Sequence, residues 1–388
     1  MSIINLTPQQ RSSQAAFRRF ASEKIAPHAC RFDSEERVPL ELVRDLAAQG
    51  YLGSLLKGEW GGLGLDMMTY GVLTEEVGRA CSSVRSLLTV HDMVARAVAK
   101  WGTQRQRETW LPRLARGELT AALAVSEPNV GSDARGVETT AARGPRSYVL
   151  NGRKKWITFG QLAGLFLVLA RCEGKPTAFL VERDRPGLTV RPIAGMLGVR
   201  ASMLAELEFD GCEVPRENLI GREGFGLSSV VATALCLGRY SVACGCVGIA
   251  QASLDASVKY AGGRRQFGVY LSEHQLIRQM LTEMVVNVRA ARLLCQQAGR
   301  LLEANDPKGI METFIAKYFS SRAATEAASA AVQIHGANGC SGDYPVQRYL
   351  RDAKIMEIIE GSNQIQQITI ADCVFQEQAW EAAALNAA

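Results

Sequence analysis

Near the C-terminal end an apolar run, Ile355-Met356-Glu357-Ile358-Ile359-Glu360, closes on a carboxylate followed by Gly361-Ser362-Asn363-Gln364. An acid at the mouth of an apolar segment is desolvated and therefore held closer to neutrality, as a general base requires. Small residues beside it expose backbone N–H groups that could hold an anionic ligand. Read on its own, the stretch is more simply a helix end with Glu360 in solvent. Other segments carry chemistry too. Ser126-Glu127-Pro128-Asn129-Val130-Gly131-Ser132-Asp133 follows a strand and offers hydroxyls and free N–H groups to a heteroaromatic edge or a phosphate, or else is a polar turn. Lys155-Trp156-Ile157-Thr158 sets a large aromatic beside a hydroxyl; Trp156 is either core or the wall of a flat cofactor. Gly262-Gly263-Arg264-Arg265-Gln266-Phe267-Gly268, with His274-Gln275, is a basic break between helices, suited to a pyrophosphate or simply solvated. Gln333-Ile334-His335-Gly336-Ala337-Asn338-Gly339 ends a helix with small residues that admit a close backbone or ligand, or form a plain C-cap.

Composition narrows what these groups can be for. The chain has 388 residues, 47% of them hydrophobic, enough for a large core and for two or three domains. Its net charge is +5, with basic runs too short for nucleic acid. The ten cysteines form no CxxC pair and the four histidines are scattered, so metal-ligand spacing is absent. Met1-Ser2-Ile3 opens no leader pattern. No apolar stretch is expected to reach the ~20 residues of a membrane span. These features predict a reduced, cytoplasmic protein without membrane or nucleic-acid partners.

The elements that position the motifs fall in the order helical, β, helical. Leu40, Leu42, Val43, Leu46 and Ala47 step along one helix face to a stop at Gly50. From Ala121 onward short β-prone runs appear: Ala121 to Val125, Tyr148-Val149-Leu150, Trp156-Ile157-Thr158, Leu165 to Ala170, Thr177 to Val181, Leu188 to Arg191 and Ala205 to Phe209. Without strand–helix alternation they predict a small β-sandwich or barrel, not a doubly wound sheet. Ile277, Leu281, Met284, Val288, Ala291, Leu294 and Ala298 restore the helical period, and an alanine-rich helix covers Ala316 to Val332. The predicted class is α+β, mainly α, with a helical domain over 1–120, a β domain over 121–225 and a C-terminal helical bundle over 226–388.

Taken in order and spacing, these five motifs resemble those of the acyl-CoA dehydrogenase family, along nearly the whole chain. The resemblance implies an FAD enzyme with a C-terminal four-helix bundle, assembled as a homotetramer or homodimer. Leu123, Val125, Ser126, Gly131 and Ser132 would meet the flavin side, and Trp156, Ile157 and Thr158 would line the isoalloxazine. Arg264, Gln266, Phe267 and Gln275 would meet the diphosphate. Gln333, Ile334, His335, Gly336 and Ala337 resemble the turn supplied to a neighbouring subunit's FAD. Ser362, Asn363 and Gln364 would hold the adenosine diphosphate portion. Glu360 corresponds to the catalytic base, which takes the proton α to a thioester carbonyl while the β-hydride passes to flavin N5. Ser132, Gly361, Arg239 and Arg85 are the candidate substrate contacts.

Some positions depart from the fatty-acyl pattern: Ile359 before the base, Ser362-Asn363 after the glycine, and Val199 to Glu206. Cys81 to Ser86, Gly238 to Ile249 and Lys354 to Ser362 resemble the acyl-carrier-protein dehydrogenases of polyketide extender-unit pathways in secondary metabolism. That branch implies oxidation of a carrier-bound 2-hydroxy-3-oxopropionyl unit to hydroxymalonyl, with Arg239 and Arg85 at the polar acyl end. The alternatives are a surface role for Arg85 and helix packing for Arg239. The competing activity is short-chain acyl-CoA α,β-dehydrogenation, with electrons passed to an electron-transfer flavoprotein or another acceptor.

Overall fold

The computed structural model describes residues 6–387, so the Met1-Ser2-Ile3 reading lies outside the described residues. The N-terminal helices are α1 (Pro8–Phe20), α2 (Ala29–Glu35), α3 (Leu40–Ala48), α4 (Met67–Ala80), α5 (Ser82–Trp101) and α6 (Gln104–Ala115). Local chemistry sets their starts. Thr7 and Gln10 close a capping box on α1, and the Asp66 carboxylate accepts the Thr69 N–H at 2.7 Å to begin α4.

The strands are β1 (Ala121–Ala124), β2 (Thr140–Arg143), β3 (Ser147–Ile157), β4 (Leu165–Cys172), β5 (Lys175–Glu182), β6 (Leu188–Pro192), β7 (Ala205–Pro215) and β8 (Leu219–Ile220). They form one sheet in the order β6-β7-β3-β2-β4-β5-β8, with β1 added in parallel to β4. The Tyr148 ring on β3 lies 4.9 Å from Phe179 on β5, although β2 and β4 stand between those strands in the sheet. The sheet therefore curls around its own core. Two of the predicted strands prove to be one: β3 runs through both, with register shifts at Leu150/Gly152 and Lys154/Ile157. Gly152 and a positive φ at Trp156 interrupt the alternation that would have marked a single long strand.

The C-terminal helices are α7 (Ala232–Gly263), α8 (Gln275–Glu303), α9 (Lys308–His335), α10 (Val346–Met356) and α11 (Asn363–Ala387), with a small hairpin, β9 (Arg265–Gln266) and β10 (Val269–Tyr270), between α7 and α8. The expectation that no stretch reaches spanning length is corrected by Gly226–Gly263. Its length, and a mean hydropathy of 1.6 in its most apolar window, would suit a membrane, but 78% of that window is buried inside the protein. It is apolar on every side because it is the central helix, packed on α4, α5, α8, α9 and α10.

His91 joins α5 to the sheet. Its Nδ1 accepts the Ala121 N–H at 3.2 Å, so Nε2 carries the proton and donates to the Leu114 carbonyl at 3.2 Å. Burial drops its pKa to about 4, so the ring stays neutral and this tautomer is kept. The latch fixes where β1 leaves the helices, and hence where Leu123 to Ser126 emerge.

Candidate active site

Helix α10 ends at Met356, and a tight turn carries the chain to α11 at Asn363. Within that turn Glu360 has φ 55° and Gly361 φ 87°. A left-handed glutamate costs about 1–2 kcal/mol, so the surroundings must hold it there. They do so through hydrogen bonds to the turn's own carbonyls. Asn363 N–H reaches Glu357 O at 2.9 Å, and Gln366 Nε2 donates to Glu360 O at 3.1 Å and Gly361 O at 2.8 Å.

The conformation sends the Glu360 side chain inward. The residue keeps some exposure, yet Oε2 is sealed from solvent and has no hydrogen-bond partner among the described residues. Room for it comes from Gly238 on α7, where a β-carbon would lie 2.2 Å from Glu360 Oε2 and 2.8 Å from Met93 Sδ. Burial pushes the Glu360 carboxyl up to about 7, against the opposing pull of Arg239, Arg85 and Lys317. This corrects the local reading of a solvated helix end.

Arg85 is 1% exposed, which removes the surface alternative. It donates to Thr89 Oγ1 at 2.9 Å and Ser86 Oγ at 3.1 Å, while its buried Nε has no partner among the described residues. Arg239 is buried with its guanidinium carbon 3.9 Å from the Phe314 ring centroid and Nε 3.3 Å from Thr313 Oγ1. It packs between helices and still faces Glu360. Burial pulls both guanidinium groups down from the usual arginine value. Among the described residues, the hydrogen bonds of both arginines go to groups other than carboxylates.

The second cluster lies on the β domain. Lys155 N–H donates to Ser126 O at 2.9 Å, bringing the loop after β1 beside Trp156. Beneath them Lys154 Nζ donates to Glu127 Oε1 at 2.7 Å and to Val125 O at 3.0 Å, and Glu127 also accepts the Glu138 and Thr139 N–H groups. Burial alone would raise the Glu127 carboxyl, but the hydrogen bonds from Lys154 and Thr139 outweigh it and hold it below the usual range. Trp156 sits in the left-handed region at φ 65° with 47% of its surface exposed. Ile157 is 2% exposed and its side chain belongs to the sheet core, while Thr158 and Leu123 are half-buried. Gly131 and Ser132 are exposed.

The third cluster gathers at the far end of α7. Arg264, Gln266, Phe267 and Gln275 are exposed, and Phe267 tops the hairpin at 95% exposure with φ 53°. His335 at the end of α9 stacks on Tyr260 at 4.1 Å, and Asn338 Nδ2 donates to the Tyr260 hydroxyl at 2.8 Å. Because Tyr260 O accepts the Arg264 N–H, the hairpin and the Gln333–Ala337 turn converge. Gln333, Gly336 and Ala337 are exposed; Ile334 and His335 are buried. At the start of α11 Ser362 Oγ caps Ile365 N–H at 3.4 Å and Gln364 is exposed. Asn363 is turned inward, its Oδ1 accepting from Lys317 at 3.1 Å and Ser321 at 3.0 Å.

The chain matches the acyl-CoA dehydrogenase N-terminal domain over residues 7–118, the middle domain over 122–212 and the C-terminal domain over 224–375. The chain belongs to the acyl-CoA dehydrogenase family. It is 38% identical over 360 residues to the mitochondrial short-chain specific acyl-CoA dehydrogenase of Mus musculus, covering 91% of this chain and 87% of that protein. Among solved structures it resembles butyryl-CoA dehydrogenase from Megasphaera elsdenii, with TM-score 0.93, 33% identity and coverage of 96% and 100%. A glutaryl-CoA dehydrogenase from Mycobacterium smegmatis in complex with FADH2 superposes with TM-score 0.91 at 28% identity, covering 95% of each chain. A protein for biosynthesis of the methoxymalonyl extender unit of a polyketide immunosuppressant has TM-score 0.86 at 32% identity, covering 94% of this chain and 99% of that one.

The enzyme is an oxidoreductase of this family and its cofactor is FAD. The residues present suit such a group. A half-exposed indole in a costly backbone conformation, beside an exposed loop of hydroxyls and N–H groups, fits a flat heteroaromatic ring.

Sequence reasoning missed Gly238, Lys317, Gln366 and the Glu127–Lys154 pair. A glycine within an apolar helix and a lysine within an alanine-rich one were the available signals.

Proposed function

We propose that the chain is an FAD-dependent dehydrogenase of short acyl thioesters in which Glu360 takes the proton α to the thioester carbonyl. The observation that carries this is the sealed, unpartnered Glu360 Oε2, with its carboxyl pushed up to about 7. Near neutral pH such a group is substantially ionised and still basic enough to accept a carbon-bound proton. FAD, when bound, supplies the acceptor for the hydride. Trp156, Thr158, Leu123, Val125, Ser126, Gly131 and Ser132 would hold its ring end, and Arg264, Gln266, Phe267 and Gln275 its diphosphate. Ser362 and Gln364 would meet its adenosine end. The exposed Gln333, Gly336 and Ala337 suit the FAD of a second copy, in a homodimer or homotetramer. An electron-transfer flavoprotein would accept the electrons.

A second reading is favoured by the cations that face the base. Arg85, Arg239 and Lys317 are all buried and all act on Glu360. That excess of positive charge suits an acyl group with a polar or acidic end better than an alkyl tail. In this reading the substrate is a carrier-protein-bound 2-hydroxy-3-oxopropionyl unit. Its aldehyde hydrate is oxidised to the carboxylate of hydroxymalonyl, and Glu360 takes the hydrate hydroxyl proton. The likeness to the methoxymalonyl extender-unit protein supports it, and the likeness to short-chain acyl-CoA dehydrogenases supports the first.

Anaerobic mixing with butyryl-CoA, and separately with the carrier-bound three-carbon aldehyde, separates the readings by loss of flavin absorbance. Bleaching by butyryl-CoA supports the first, bleaching by the carrier-bound unit alone supports the second, and bleaching by neither substrate overturns both.

A further inference from the structure

We propose that Lys317 is a positioning residue for Glu360: from α9 it clamps the turn that aims the carboxylate and supplies a fixed charge that keeps it ionised. The proposal rests on Glu360 being the base but not on which acyl group is oxidised.

Lys317 is fully buried midway along α9, a helix otherwise lined there by alanine and serine. Its Nζ donates to Gly361 O at 2.7 Å and Asn363 Oδ1 at 3.1 Å, and lies 3.4 Å from Glu357 O. These acceptors bracket Glu360 on both sides. An ammonium with three donors can satisfy three acceptors at once, which no neutral side chain of that length does. Ser321, one helical turn on, donates to the same Asn363 Oδ1 at 3.0 Å. Gly361 O, which Lys317 and Gln366 share, belongs to the residue after the strained glutamate. Each of these acceptors also takes a second donor, Asn363 N–H at Glu357 O, Gln366 at Gly361 O and Ser321 at Asn363 Oδ1, so Lys317 ties three separate bonds of the turn into one network that holds the left-handed conformation of Glu360.

The charge has a second consequence. The acceptors of the Lys317 ammonium are carbonyls and an amide, so its positive charge remains available to Glu360. The groups facing Glu360 are Arg239 from α7, Arg85 from α5 and Lys317 from α9. Those facing Lys317 are Cys246 from α7, Glu360 and Glu357 from the turn, and Arg239. Burial lowers Lys317 to about 8, so it is charged at the pH where Glu360 ionises. An opposite charge at such range favours the carboxylate.

The test compares Lys317→Met with Lys317→Arg in the holoenzyme, using whichever thioester bleaches the wild-type flavin. Lys317→Met should lower kcat roughly 100-fold, the cost of a small misplacement, with KM little changed. It should also move the acid limb of kcat/KM about one pH unit upward. Lys317→Arg keeps the charge and should return the limb to its wild-type position. Infrared titration of the carboxyl band that Glu360→Gln removes should show the same upward move in Lys317→Met, independently of turnover. If Lys317→Met does not accumulate with FAD bound, Lys317→Gln takes its place with the same criteria. A limb and infrared titration unmoved in the neutral variant overturn the proposal, as does a Lys317→Arg limb displaced as far as that of Lys317→Met. If no thioester bleaches the wild type, the functional reading fails instead, and the infrared comparison still decides the role of Lys317.

Discussion

Replacing Gly238 by alanine adds one methyl group against the proposed base. The new β-carbon would lie 2.2 Å from Glu360 Oε2 and 2.7 Å from its carboxyl carbon. Ordinary contact begins near 3.4 Å, so the carboxylate must retreat by about 1.2 Å or the helix must shift. A misplacement of about 1 Å costs roughly 100-fold in rate, or about 2.7 kcal/mol of barrier. Stability should respond less. Alanine gains up to about 1 kcal/mol over glycine in a helix interior, which offsets part of the 1–3 kcal/mol typical of overpacking. Gly238→Ala should therefore fold and bind FAD but reduce its flavin roughly 100-fold more slowly. The assay is anaerobic stopped-flow with the best wild-type thioester, alongside thermal melting and the FAD-to-protein absorbance ratio. A Gly238→Ala enzyme that retains FAD and bleaches at the wild-type rate would refute the placement of the carboxylate against α7.

Other consequences follow from the same geometry. Glu360 is protonated more readily in the folded chain, at about 7, than at its ordinary 4.5. Its contribution to stability is thus fully present below pH 4.5 and lost as pH rises through about 7, by at most about 3 kcal/mol. Glu360→Gln should match wild type in melting temperature near pH 4.5 and exceed it at pH 8; parallel curves would contradict the sealed carboxyl. Glu127→Gln leaves the buried Lys154 ammonium without its counter-charge, a change that costs about 3–5 kcal/mol. Its melting temperature and FAD content should both fall, and unchanged values would show that the pair does not hold the loop after β1. Arg85→Met should raise KM for an acid-ended acyl thioester about 10–100-fold, as expected for loss of a charged hydrogen bond, and change butyryl-CoA kinetics far less. Equal effects on both would assign Arg85 to packing.

Much of this site is legible in the sequence. The helical, β, helical order follows from hydrophobic periodicity, which is strong wherever an element has one buried face. Glu360 stood out because a carboxylate after Ile358-Ile359 breaks an apolar run, and the five ordered motifs gave it a context. Strand β3 was split because a bulge and a left-handed Trp156 disturb the alternation that marks a strand. Helix α7 was not recognised as long and apolar enough to span a membrane, because glycines and the buried Arg239 interrupt its composition. Gly238 and Lys317 were out of reach for a different reason. What each does depends on a turn more than forty residues away in the chain, and no local pattern encodes that meeting.

Glu360 is proposed as the proton-abstracting base of an FAD site. This role is tested most directly by Glu360→Gln in anaerobic rapid mixing, with flavin absorbance as the signal and the best wild-type thioester as substrate. Glutamine keeps the shape but cannot accept the proton. The Glu360→Gln protein should be yellow and folded, bind the thioester and leave its flavin oxidised. Flavin bleaching by Glu360→Gln at the wild-type rate would contradict that role.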